Sequence, residues 1–138
     1  MTRNQERTEE CGRPQAMVRL AQADRFVEVA LMVLDASHDD SIPGVAGALA
    51  VLAGIAAADA ACCAKLHRRS RGQSHTAAAD LVDTISPHGP AMAKDLRRLI
   101  QRKDEAHYAS EFMTTKVAKD MVTWAQRLVA NARRVVEA

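Results

Sequence analysis

Aromatic residues are scarce in this sequence: one Trp, one Tyr and two Phe, 3% of the chain. β-Branched clusters and alternating apolar runs are also few, which argues against a fold built on strands. Cysteine is limited to Cys11, Cys62 and Cys63. An odd count with two neighbours does not make a disulfide framework, so free cytosolic thiols are the simple expectation. No zinc-ligand spacing and no Cys–His pairing occur, and no glycine-rich phosphate loop is present. No metal and no cofactor are therefore expected. The N-terminus is polar and carries no apolar signal region. The longest uncharged run, from Ile42 to Ala58, is short for a membrane span, alanine-rich and followed at once by Asp59. No membrane association is expected, and the cytoplasm is the expected location. A net charge of +2 is too small for a general nucleic-acid coat.

What the chain does have is alanine and helical periodicity. Its 138 residues fit one domain, and 48% hydrophobic content is enough for a sizeable core. Residues 1–13 read as a flexible polar arm, and 14–138 as a single helical domain. Pro14 suits the first turn of a helix running to Ala36, with Ala16, Leu20, Ala23, Val27, Leu31 and Leu34 on one face. Ser37 to Ser41 reads as a turn. A second helix runs from near Pro43 to about Arg68 and is apolar on nearly every face from Val45 to Ala64, which marks it as the buried one. Gly47, Gly54 and its alanines allow close neighbours. Asp59 is its one charge, read as an arginine-paired carboxylate with a site role as the alternative. Arg69-Ser70-Arg71-Gly72-Gln73 breaks this helix.

Ser74 is placed to cap a short helix over His75–Ile85, and Ser86-Pro87-His88-Gly89-Pro90 ends it. The fourth helix buries Met92, Leu96, Leu99 and Ile100. A link over Ala109–Thr114 leads to a fifth, capped by Thr114 or Thr115, with the stripe Val117, Met121, Trp124, Leu128, Ala132 and Val135. Trp124 and the methionines read as core filling. Short loops between such helices give an all-α fold, an antiparallel bundle of four or five helices.

The chemistry-bearing stretch is Arg102-Lys103-Asp104-Glu105-Ala106-His107-Tyr108. It begins where the apolar seam of the fourth helix runs out, so that the same face next presents Lys103 and then His107. Arg102 lies about 140° round from His107 on a regular helix. The two can meet if the helix ends between them, or if a second copy supplies the missing side.

In its order of features the chain resembles the HEPN domains, small helical bundles of prokaryotic toxin–antitoxin, defence and RNA-processing systems. The resemblance spans residues 15 to 137. It rests on the small-residue second helix (Ala57-Ala58, Ala60-Ala61-Cys62), the basic loop leading to His75, and Arg102-x4-His107 followed by Tyr108. Many members are metal-independent endoribonucleases marked by Arg, four to six residues, then His, with the cleft across a homodimer interface. By this resemblance Arg102 and His107 would be catalytic. Active members usually carry Asn, Asp or His after the arginine, whereas this chain has Lys103 there and Asp104 next.

The residue types suit that chemistry. Metal-free RNA cleavage needs a proton acceptor for the ribose 2′-hydroxyl and a cation for the phosphorane. Imidazole ordinarily titrates near pH ~6.5 and can serve as acid or base. A guanidinium can fork onto phosphate, with Lys103 as a point charge. Asp104 can orient the ring, and Tyr108 can stack a base. Arg68, Arg69 and Arg71 form an acid-free basic stretch, of which Arg69 and Arg71 are candidates to grip substrate phosphate. Each has a plainer alternative: His107 as a helix-end histidine, the charged run as a solvated face, Tyr108 as packing, the loop arginines as solvated, His75 as a local hydrogen-bonding residue.

Two functions follow. One is a metal-independent endoribonuclease or RNA-binding protein, homodimeric, of a toxin–antitoxin or defence system. The alternative, favoured by Lys103, is a non-catalytic interaction module that binds a partner protein or a nucleotide.

Overall fold

The structure of the chain, a computed structural model, describes residues 7–36, 42–71, 75–109 and 113–138, with the side chains of 42 and 105–109 left outside the description. Five helices form among the described residues: α1 (Arg13–Asp35), α2 (Ile42–Leu66), α3 (His75–Asp83), α4 (Gly89–Ala109) and α5 (Thr115–Glu137). Two short strands, β1 (Thr8–Glu10) and β2 (Arg68–Ser70), complete the described elements. The fold is the all-α bundle expected from the periodicity. The expected turn over Ser37–Ser41, the Ser74 cap and residues 110–112 of the last link lie outside the described residues.

The bundle is organised around α2, which packs against α1, α3, α4 and α5. Its alanines explain this position. Ala46, Ala50, Ala53, Ala56, Ala57, Ala60 and Ala61 are all fully buried, and small side chains let several helices approach one axis. At Gly54 α2 meets two neighbouring helices at once. A Cβ there would stand 2.8 Å from Leu99 Cδ1 of α4 and 3.3 Å from Leu128 Cδ1 of α5. The span Pro43–Leu66 is long and apolar enough to cross a membrane by length and composition, and most of it is covered by its neighbours in the bundle.

On α1 the buried face is Ala16, Leu20, Ala23 and Ala30, with Val27 and Leu34 half-buried. Leu31, expected on that face, is 40% exposed. A seam stepping by four and three residues reaches position 30, and position 31 lies about 100° further round. On α5 the expected stripe is inward: Met121, Leu128, Ala132 and Val135 are buried, and Val117 and Trp124 are half-buried. Thr114 caps α5, its side chain accepting a hydrogen bond from the Val117 amide at 3.1 Å. At the start of α1 the Gln15 side chain reaches back and accepts from the Gly12 amide at 2.8 Å.

Further expectations need correction. The loose arm does not extend to residue 13. Thr8–Glu10 pairs antiparallel with β2, in the register Thr8↔Ser70, Glu9↔Arg69 and Glu10↔Arg68. The second helix ends at Leu66, not Arg68, because His67 takes a left-handed conformation (φ 61°) and turns the chain into β2. The thiols are not all free: Cys11 and Cys63 form a disulfide, and Cys62 keeps its thiol. The partners are separated by 52 residues, so no local pattern announces the bond.

Candidate functional site

The charged end of α4 is built by the run-out of its seam. Met92, Leu96 and Leu99 are fully buried and Ile100 is half-buried. From Gln101 onwards the helix leaves the core, and Arg102, Lys103 and Asp104 are exposed. The helix is unbroken through Ala109, so it does not end between positions 102 and 107. Five residues along a regular helix is about 140° of rotation, which puts the two positions on different faces of one copy. The side chains of His107 and Tyr108 lie outside the described residues.

A second cluster gathers at the other candidate residues, Arg69 and Arg71. Arg69 sits on β2 and donates through Nε to Glu9 Oε1 at 3.0 Å. Its Nη1 lies 3.8 Å from Asp59 Oδ2. Arg71 Nη1 lies 3.6 Å from Glu9 Oε2. Glu9 therefore lies between two of the three arginines expected to form an open basic stretch. Beneath them Asp59, near the end of the buried part of α2, takes Arg19 of α1 at 3.0 Å through Nη2 and 3.1 Å through Nε. The arginine-paired reading of Asp59 is what forms. Its carboxyl is nevertheless shifted upward, because burial outweighs the lowering by Arg19 and Arg69.

The disulfide lies alongside. The Cys11 amide donates to the His67 carbonyl at 3.1 Å, and the Arg71 amide to the Arg7 carbonyl at 2.8 Å. An open groove of about 730 Å³ runs past this corner, lined by Thr8, Glu10, Cys11, Gln15, His67 and Arg68 among others. Cys62, next to the bridged Cys63, is buried. Burial first, and then the Asp59 carboxylate, push its thiol up to about 12, against a lowering by Arg68, so it stays protonated at neutral pH.

The α4 end and the β1–β2 corner are thus two separate places. His75 is half-buried at the start of α3. Among the described residues no group of three or more His, Cys, Asp or Glu side chains is placed to hold a metal. Sequence reasoning missed Glu9 and the Cys11–Cys63 bridge. One cue was available: an acidic N-terminal stretch (Glu6, Glu9, Glu10) in a chain that also holds an acid-free basic one, Arg68 to Arg71. No family model matches this sequence, and no curated protein or solved structure matches it either.

Proposed function

We propose that the chain is a HEPN-like homodimer that cleaves or binds RNA without metal, through Arg102 and His107. The observation that supports this is the end of α4, where a buried seam gives way to exposed Arg102, Lys103 and Asp104 on a helix that continues to His107. With about 140° between positions 102 and 107, a working pair is composite. Arg102 comes from one copy and His107 from its two-fold mate, so that two such sites form per dimer. The guanidinium stabilises the phosphorane, Lys103 adds charge, and Asp104 and Tyr108 orient ring and base, while Arg69 and Arg71, at the separate β1–β2 corner, hold phosphates of the RNA away from the cleavage site.

The test is chelator-resistant cleavage of labelled RNA by the wild type, Arg102→Ala and His107→Ala. Each variant alone is inactive. Mixed in equal amounts with exchange of subunits, they regain about a quarter of wild-type activity, because half the dimers are mixed and each of those has one intact pair. No recovery on mixing removes the composite site, and no cleavage by the wild type removes the nuclease.

A second reading has its own support. The six large apolar side chains exposed among the described residues (Met17, Val18, Leu31, Met32, Val45 and Leu52) all lie on α1 and α2. With Lys103 after Arg102, this favours a non-catalytic module that docks a partner protein or a nucleotide. Either protein would work in the cytoplasm, where a disulfide is of the transient, redox-sensing kind.

A further inference from the structure

We propose that the Cys11–Cys63 disulfide is a redox latch that holds Glu9 over Arg69 and Arg71, and that its reduction frees these two arginines to bind a phosphate group. The proposal rests on the RNA reading only for the source of that phosphate. Carboxylate and phosphate are recognised by the same fork of guanidinium donors. Glu9, at 3.0 Å from Arg69 and 3.6 Å from Arg71, fills the place a phosphate would take. While it is there, the guanidiniums of Arg19, Arg69 and Arg71 face two carboxylates, Glu9 and Asp59. Once it leaves, three cations face Asp59 alone.

Little besides the disulfide keeps Glu9 in place. The β1–β2 ladder is three residue pairs long, and an isolated two-stranded pairing is marginal in water. The ion pairs to Glu9 are partly exposed, where such contacts contribute little. The bridge shortens the tether between the strap and β2, and so raises the effective concentration at which these weak contacts form. The bundle does not depend on the strap. Arg13 at the start of α1 donates to the Val136 carbonyl at 2.8 Å, and Ala16 and Leu20 are buried. Release therefore frees residues 7–12 and leaves α1 docked.

The reductant is a protein or small-molecule dithiol. Its thiolate attacks Cys11 Sγ, because Cys11 is half-buried at the edge of the open groove whereas Cys63 is fully buried. The S–S bond breaks, and Cys63 leaves as a thiolate and takes a proton. The second thiol of the reductant then displaces Cys11 from the mixed disulfide. Two electrons and two protons end on Cys11 and Cys63, and the dithiol becomes a disulfide. Cys62, buried and protonated, takes no part.

The experiment compares the full chain oxidised, reduced with dithiothreitol, and as Cys11→Ser, Glu9→Gln, and Arg69→Ala with Arg71→Ala. Hydrogen exchange is followed at the Cys11 and Arg71 amides, which bond to the His67 and Arg7 carbonyls. Binding of inorganic pyrophosphate and of a labelled oligouridylate is measured in parallel. Reduction and Cys11→Ser are expected to abolish protection of both amides. They and Glu9→Gln tighten phosphate binding about tenfold, the scale of one regained charge-assisted contact, and the double arginine variant shows no gain. Protection unchanged by reduction overturns the latch. Protection lost with no gain for either probe overturns the anion site. A gain for pyrophosphate but not for the oligonucleotide keeps the latch and anion site and removes RNA as the source. None of these readings uses α4, whose nuclease activity fails or succeeds separately.

Discussion

Asp95 on α4 is held by a two-pronged contact from Arg127 on α5, Nη2 to Oδ1 at 2.7 Å and Nε to Oδ2 at 3.3 Å. The Asp95 side chain is 6% exposed while Arg127 is 53% exposed, so the carboxylate depends on this partner more than the guanidinium does. Arg98 is a distant second at 4.0 Å and lies over the Trp124 ring at 5.5 Å. Arg127→Ala strands a buried carboxylate and is expected to cost about 2 kcal/mol. Replacing Asp95 and Arg127 together by leucines is expected to cost less than the single change, since the desolvation cost disappears with the charge. Urea titration of the three proteins checks both. A midpoint for Arg127→Ala equal to wild type would show that the contact contributes nothing.

The tight approach at Gly54 makes a second prediction. An alanine in a helix interior ordinarily gains about 1 kcal/mol over glycine. At Gly54 the new methyl meets Leu99 and Leu128, and overpacking costs about 1–3 kcal/mol, so Gly54→Ala is expected to lower the melting temperature. Gly44 is the control on the same helix. A Cβ there meets nothing within 4 Å, so Gly44→Ala is expected to raise it. Thermal melts of the pair, moving in opposite directions, are the expected result.

His67 ends α2 at φ 61°, a conformation that costs a residue with a Cβ about 1 kcal/mol. His67→Gly is expected to gain up to about that amount, and His67→Val to lose more than 1 kcal/mol, because β-branching makes the left-handed region worse. Denaturant midpoints in the oxidised protein decide this. Equal stability of the Gly and Val variants would rule out the conformational account.

Asp59 predicts a pH dependence of definite sign. Its folded carboxyl lies above the ordinary value of 3.8, burial being the larger cause. The folded state then binds this proton more readily than the unfolded state. Its contribution is most favourable below 3.8 and is lost as pH rises through the interval up to the raised folded value. Asp59→Asn lacks this titration. The stability of wild type relative to Asp59→Asn is therefore expected to fall as pH rises from 3.8. A difference that rises instead would mean that Arg19 and Arg69 outweigh burial.

The helices were legible because their information is local. The seam Met92, Leu96, Leu99 and the stripe from Val117 to Val135 each repeat within one helix, and both are largely inward in the bundle. The apolar run of α2 announced its central place in the same way. Leu31 shows the limit of that local signal: two apolar neighbours compete for one face, and in the bundle it is Ala30 that is buried. The α4 motif was legible as a charged run at the end of a seam. Whether its arginine and imidazole meet is a property of two helix faces, which the spacing states only as an angle.

Sequence by itself determined which segments are helical, which helix lies at the centre, and where α4 turns from apolar to charged, since each follows from side chains a few residues apart. Only the tertiary structure decided that His67 bends the chain between α2 and β2, that Glu9 lies across Arg69 and Arg71, and that Cys11 finds Cys63. Those contacts join residues some 50 to 60 positions apart. They exist because α1 and α2 pack side by side and bring the start of one to the end of the other, a geometry that no short window of the chain contains.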